Sequence, residues 1–174
     1  MKDKRATGAI CEEIEGRTLP RWQELPDLEL YMDQVLSLVT RYLGGCPGLG
    51  KKGLTASMVN NYVKLGAMPP PVKKRYGRLH LAYLIAICIL KTSLPIDSAR
   101  HLAAEAIGEG GERYDRFCVW FEEASFGAAV NARERFRAEG DELAAVCGAA
   151  LRAEAEQALA ERLLRGEDNN GDVC

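Results

Sequence analysis

Apolar residues recur every three or four positions at Leu28, Tyr31, Met32, Val35, Val39 and Tyr42, and this spacing predicts an amphipathic helix. Gly44-Gly45 end it, and a glycine-rich loop with Pro47 inside follows to Gly53. Thr55 is placed to cap a short helix running to Leu65. Met58, Val59, Tyr62 and Val63 fall on its inner side; Ser57, Asn60, Asn61 and Lys64 fall on its outer side. Gly66 stops this helix, and Pro69 to Pro71 force an extended path. The next piece, Val72-Lys73-Lys74-Arg75-Tyr76, reads as a basic ribbon or wing closed by Gly77.

From Leu79 to Leu90 nearly every residue is apolar, so this helix belongs at the centre of the core. Ser93 and Pro95 open another helix, with Ile96, Ala99, Leu102, Ala103 and Ala106 as its inner stripe. Gly108 to Gly111 break the chain. Tyr114, Phe117, Cys118 and Phe121 then make an apolar helical face, with Trp120 beside it and Gly127 as its end. Residues 130–165 are rich in Ala, Glu, Arg and Leu, and Gly140 kinks or divides them. Leu143, Val146, Cys147, Ala150, Leu151, Leu159 and Leu163 supply the packing stripe. That stripe is not a clean heptad, so a helical hairpin is expected, packed on the preceding module or on a second subunit.

Four regions result: a polar, irregular arm over 1–24 with Trp22 pinned on the body, a compact module over 25–107, a helical region over 108–166, and a polar tail over 167–174. The expected class is mainly all-α, with a winged helix-turn-helix-like module and a C-terminal helical extension.

Charge sharpens this division. The formal net charge of the 174-residue chain is -2. Between Gly50 and Arg100, however, nine cations (Lys51, Lys52, Lys64, Lys73, Lys74, Arg75, Arg78, Lys91 and Arg100) face one acid, Asp97, which leaves that window at +8. Local charge sets the local field. A short helix presenting Ser57, Asn60, Asn61 and Lys64 has the groups for base reading in a DNA major groove. Lys51, Lys52, Lys73, Lys74, Arg75 and Arg78 have the chemistry for phosphate contact. The expected function is a DNA-binding transcriptional regulator, with double-stranded DNA as partner and a homodimer formed through the C-terminal helices. The alternative is a protein-interaction module on the same winged scaffold, for which Tyr114, Phe117, Trp120, Phe121 and Phe126 supply apolar material.

Other chemistries find little material. The six cysteines form no CxxC pair, and His80 and His101 stand apart without a metal-ligand motif, so no metal and no cofactor are expected. Cys88 and Cys147 read as buried thiols. Gly48 to Gly53 lacks the spacing and hydroxyl of a phosphate-binding loop, and no nucleophile pair or facing carboxylates occur, so an enzyme is not expected. The N-terminus has no apolar signal core, and Leu79 to Leu90 is too short to cross a bilayer. The expected location is the cytoplasm, with no membrane partner.

The run from Leu54 to Ile96 resembles a bacterial family known as domain of unknown function 1836. The resemblance is carried by Leu54-Thr55, Met58 to Lys64, Pro69 to His80 and Ile89 to Lys91, with Leu28 to Leu36 as a matching opening helix. It covers about residues 25–107 and implies a fold without an established activity. The same stretch is more distantly similar to the MerR-type winged helix-turn-helix regulators, through Tyr62 to Pro70 and then Arg75-Tyr76. That similarity implies that Asn60, Asn61 and Lys64 lie on a reading helix and Lys73, Lys74 and Arg75 on a wing. Two features depart from the MerR pattern: the helix before Thr55 lies across a long loop, and no long dimerising coiled coil follows.

Overall fold

The computed structural model describes residues 4–44 and 53–166. Its described residues form seven α-helices: α1 (Lys4–Glu15), α2 (Met32–Tyr42), α3 (Ala56–Lys64), α4 (Arg78–Leu90), α5 (Ile96–Ile107), α6 (Glu112–Glu139) and α7 (Glu142–Arg165). A single 3-10 turn spans Trp22–Glu24. Local chemistry sets several boundaries. The Thr55 hydroxyl accepts from the Met58 N–H at 3.3 Å and starts α3. The His80 ring nitrogen Nδ1 accepts from the Gly77 N–H at 3.0 Å and closes the first turn of α4. Gly140, at φ +64, ends α6, and the Asp141 carboxylate accepts from the Leu143 N–H to start α7.

Helix α4 is the axis of the molecule. Leu81 through Cys88 are all buried, and α2 and α5 pack against this helix. Val35, Val39, Val59, Tyr62, Ala103 and Ile107 complete the surrounding core, and each buried Val, Leu or Ile contributes about 1.5–3 kcal/mol relative to exposure. Tyr114, Phe117 and Cys118 of α6 belong to the same core. Gly110 makes this junction possible: its φ is +91, and a Cβ there would lie 2.1 Å from Cη2 of Trp22. Trp22 is held in place by its backbone N–H, which donates to Asp115 Oδ1 at 2.6 Å, and by an edge contact to the Tyr114 ring.

The structure corrects the expected fold class. The described residues form an all-α, seven-helix bundle, and no β-strand occurs among them. Where a wing was expected there are two isolated bridges, Leu30 with Tyr76 and Val72 with Arg75. The physical reason is visible in the sequence on either side. Pro69 to Pro71 have no backbone N–H to offer a ladder, and after Tyr76 the chain goes directly into the cap of α4. The winged helix-turn-helix module is therefore not formed, and the similarity to MerR-type regulators has no structural counterpart.

Other local expectations also change. The segment read as an irregular arm contains α1, which packs along α6 through buried Cys11 and an ion pair from Arg133 to Glu15. Ser125 and Ala129, two turns and one turn before Arg133 on the same stripe, are buried as well. Gly127 does not end α6. The helix runs through it because α1 and α7 pack along α6, which offsets the roughly 1 kcal/mol penalty of a mid-helix glycine. On α7 the buried positions are Ala145 and Gly148; the predicted stripe of Leu143, Val146, Leu151, Leu159 and Leu163 is exposed, and so is Cys147.

Candidate functional site

Partnering divides the cations of the basic window. Lys51 and Lys52 lie outside the described residues. Arg100 pairs with Asp97 on its own helix at 2.9 Å. The Lys91 ammonium lies 5.8 Å from the centre of the Tyr62 ring. Arg78 is drawn into the body: its side chain is 14% exposed, pairs with Asp27 at 3.6 Å, and lies over the Trp22 ring. Its Nε is buried without a hydrogen-bond partner among the described residues. Arg78 is a structural cation, not a surface contact. Lys64, Lys73 and Lys74 are exposed and form no ion pair among the described residues.

Lys73 and Lys74 form the tip of a tight turn. The Arg75 N–H donates to the Val72 carbonyl at 2.9 Å, and the two central lysines have φ of 50 and 64. Two successive positive φ values across such a bond are the signature of a type I′ turn, where Asn-Gly is the ordinary choice. Lysine in this conformation costs about 1–2 kcal/mol per residue. The turn is tied to the body by Leu30 and Tyr76, which exchange backbone hydrogen bonds at 2.8 and 2.9 Å. Both of those side chains are buried.

The next pair outward is Tyr31 with Arg75. The Arg75 guanidinium lies 3.4 Å from the centre of the Tyr31 ring and donates to the Tyr31 hydroxyl. Tyr31 is itself fixed as the residue before α2, where its N–H donates to Gln34 Oε1 at 2.9 Å. Val72, opposite Arg75 on the other side of the turn, is 65% exposed. Behind the site, burial raises the Tyr76 phenol above its ordinary value. Burial also raises the Tyr62 phenol behind α3, against the opposing effect of Lys91. Both rings are neutral supports.

Helix α3 presents Ser57, Asn60, Asn61 and Lys64 to solvent, and Val59 and Tyr62 face the core. Sequence periodicity therefore locates the outer face. It did not locate Tyr31 beside the cationic tip, because the Tyr31–Arg75 pairing joins distant parts of the chain; the ribbon reading includes Val72 but gives it no role. The positive φ values at Lys73 and Lys74 had no sequence signal, since lysine rarely adopts them.

Two functional expectations are overturned here. The DNA-binding regulator and its duplex partner rested on a wing, and the described residues contain no strand to build one. The winged protein-interaction scaffold falls for the same reason. The expected homodimer through the C-terminal helices has no structural basis either: α6 and α7 pair with each other as an antiparallel hairpin within one chain. Among the described residues, no group of three or more His, Cys, Asp and Glu side chains could hold a metal ion. No helix among them is long and apolar enough to cross a membrane.

No curated protein and no solved structure matches the chain. The family model described as "Domain of unknown function (DUF1836)" matches residues 20–115, which spans more than half of the sequence and includes α2 to α5, the basic turn and the Trp22 anchor. The chain belongs to the DUF1836 family.

Proposed function

We propose that this chain is a non-catalytic binding module that docks an acidic polypeptide segment at the Lys73-Lys74 turn. The observation that carries the proposal is the placement of two adjacent, exposed lysines, without a carboxylate partner among the described residues, in a backbone conformation that disfavours lysine. Strained residues of this kind cluster at ligand-holding and switch sites. The tip gathers two ammonium groups, one guanidinium, a phenol and an aliphatic side chain. That set holds an anion and offers no nucleophile and base pair to transform one. The exposed aromatic and aliphatic flanks favour a polypeptide, which carries carboxylates and apolar side chains together, over a bare phosphate array.

The test is fluorescence anisotropy with a labelled 16-residue peptide rich in Asp and Glu, at low and at physiological salt. The full chain should bind at low salt and more weakly at high salt. Replacing both Lys73 and Lys74 by Ala should weaken binding about tenfold. Lack of peptide binding at low salt would overturn the proposal, as would equal binding by the double variant. Tighter binding of a random-sequence DNA duplex than of the peptide would also overturn it.

A further inference from the structure

Tyr31, Arg75 and Val72 occupy one continuous exposed strip beside the lysine tip. The register settles this. Leu30 and Tyr76 are directly opposed and both buried, so their neighbours Tyr31 and Arg75 turn to the outer side. Val72 opposes Arg75 across the turn and so shares that outer side. Tyr31 and Val72 are 52% and 65% exposed, with the guanidinium between them already stacked on the ring.

We infer that this strip selects, among acidic segments, those that carry a leucine-sized apolar side chain next to their carboxylates. The inference rests on the docking proposal above and names its specificity. Charge complementarity brings the acidic segment to Lys73 and Lys74. Stacking on Tyr31 fixes the Arg75 guanidinium, so its edge receives a carboxylate with little loss of side-chain freedom. An apolar side chain then covers Val72 and the exposed edge of Tyr31, which charge alone leaves in water. The segment is held by its side chains and not as an added strand, because Pro69 to Pro71 have no backbone N–H to form a ladder along that edge.

The experiment compares two labelled 16-residue peptides of equal charge, one of Glu, Asp and Ser only, the other with two leucines replacing serines. The full chain should bind the leucine peptide about fivefold or more tightly. Val72→Ser should remove that preference and leave the leucine-free peptide unchanged, whereas Tyr31→Ala should remove the preference and also weaken the leucine-free peptide, because it releases the Arg75 guanidinium. Lys73→Ala with Lys74→Ala should weaken both peptides alike. Unfolding midpoints of all variants, followed by circular dichroism, separate lost binding from lost structure. Because Val72 is exposed, its variant keeps the test valid if the Tyr31 variant is unstable. Equal affinity of the wild type for the two peptides would overturn the selectivity and leave docking standing. Failure of both peptides to bind would overturn docking itself. An unchanged preference in Val72→Ser would remove the strip from the site.

Discussion

Helices α4 and α7 differ in where their large apolar residues go. On α4 the whole run from Leu81 to Cys88 is buried, because α2 and α5 pack against it and α3 and α6 complete the core around it. On α7 Leu143, Leu151, Leu159 and Leu163 face water, and the helix rests on α6 through Ala145 and Gly148. A Cβ added at Gly148 would lie 2.6 Å from Nε of Arg135, so the bare glycine is where the Arg135 side chain lies across α7. The two helices teach that hydrophobicity ranks residues for burial only when enough partners surround the element. Where a single neighbour is available, small residues set the contact by letting two helices approach closely. Farther along the hairpin the approach loosens into a groove of about 350 Å³, lined on α6 by Ala124, Gly127, Ala128 and Asn131.

Three substitutions break or sharpen this contrast. Leu84→Ala in α4 should cost about 2–5 kcal/mol, measured by urea unfolding, because the cavity forms in the centre of the core. A loss below 1 kcal/mol would show that α4 is not the axis of folding. Gly148→Leu in α7 should cost about 1–3 kcal/mol by forcing Arg135 and the hairpin apart. A neutral result there would end the small-residue account of α7. The smallest effect is expected from Leu151→Gln, which should stay within about 0.5 kcal/mol of the wild type, since Leu151 is 69% exposed. A large destabilisation would place that leucine in a contact absent from the single chain.

The sequence was most legible where a signal is local and self-contained. The Thr55 cap, the two-sided pattern of α3 and the uniformly apolar α4 need only a few neighbouring residues to be read. Gly127 misled because a mid-helix glycine is costly only by itself, and two packed helices supply more than it removes. The +8 window misled for a related reason. Counting charge cannot show that Arg78 is taken up by Asp27 and Trp22, or that Arg75 lies on Tyr31, because each partner comes from far away in the chain. Among the described residues, the exposed cations of the window that form no ion pair are Lys64 and the lysine tip. The basic ribbon was legible as composition but not as geometry, and a two-residue turn with isolated bridges replaced the expected wing.

The left-handed lysines also have a consequence for selection. A library randomised at positions 73 and 74 and sorted for heat resistance alone should drift toward Asn-Gly, which fits these dihedrals without strain. The same library sorted for retention of an acidic peptide should hold on to basic residues there. The divergence of the two pools would give, position by position, the exchange rate between robustness and recognition in this turn.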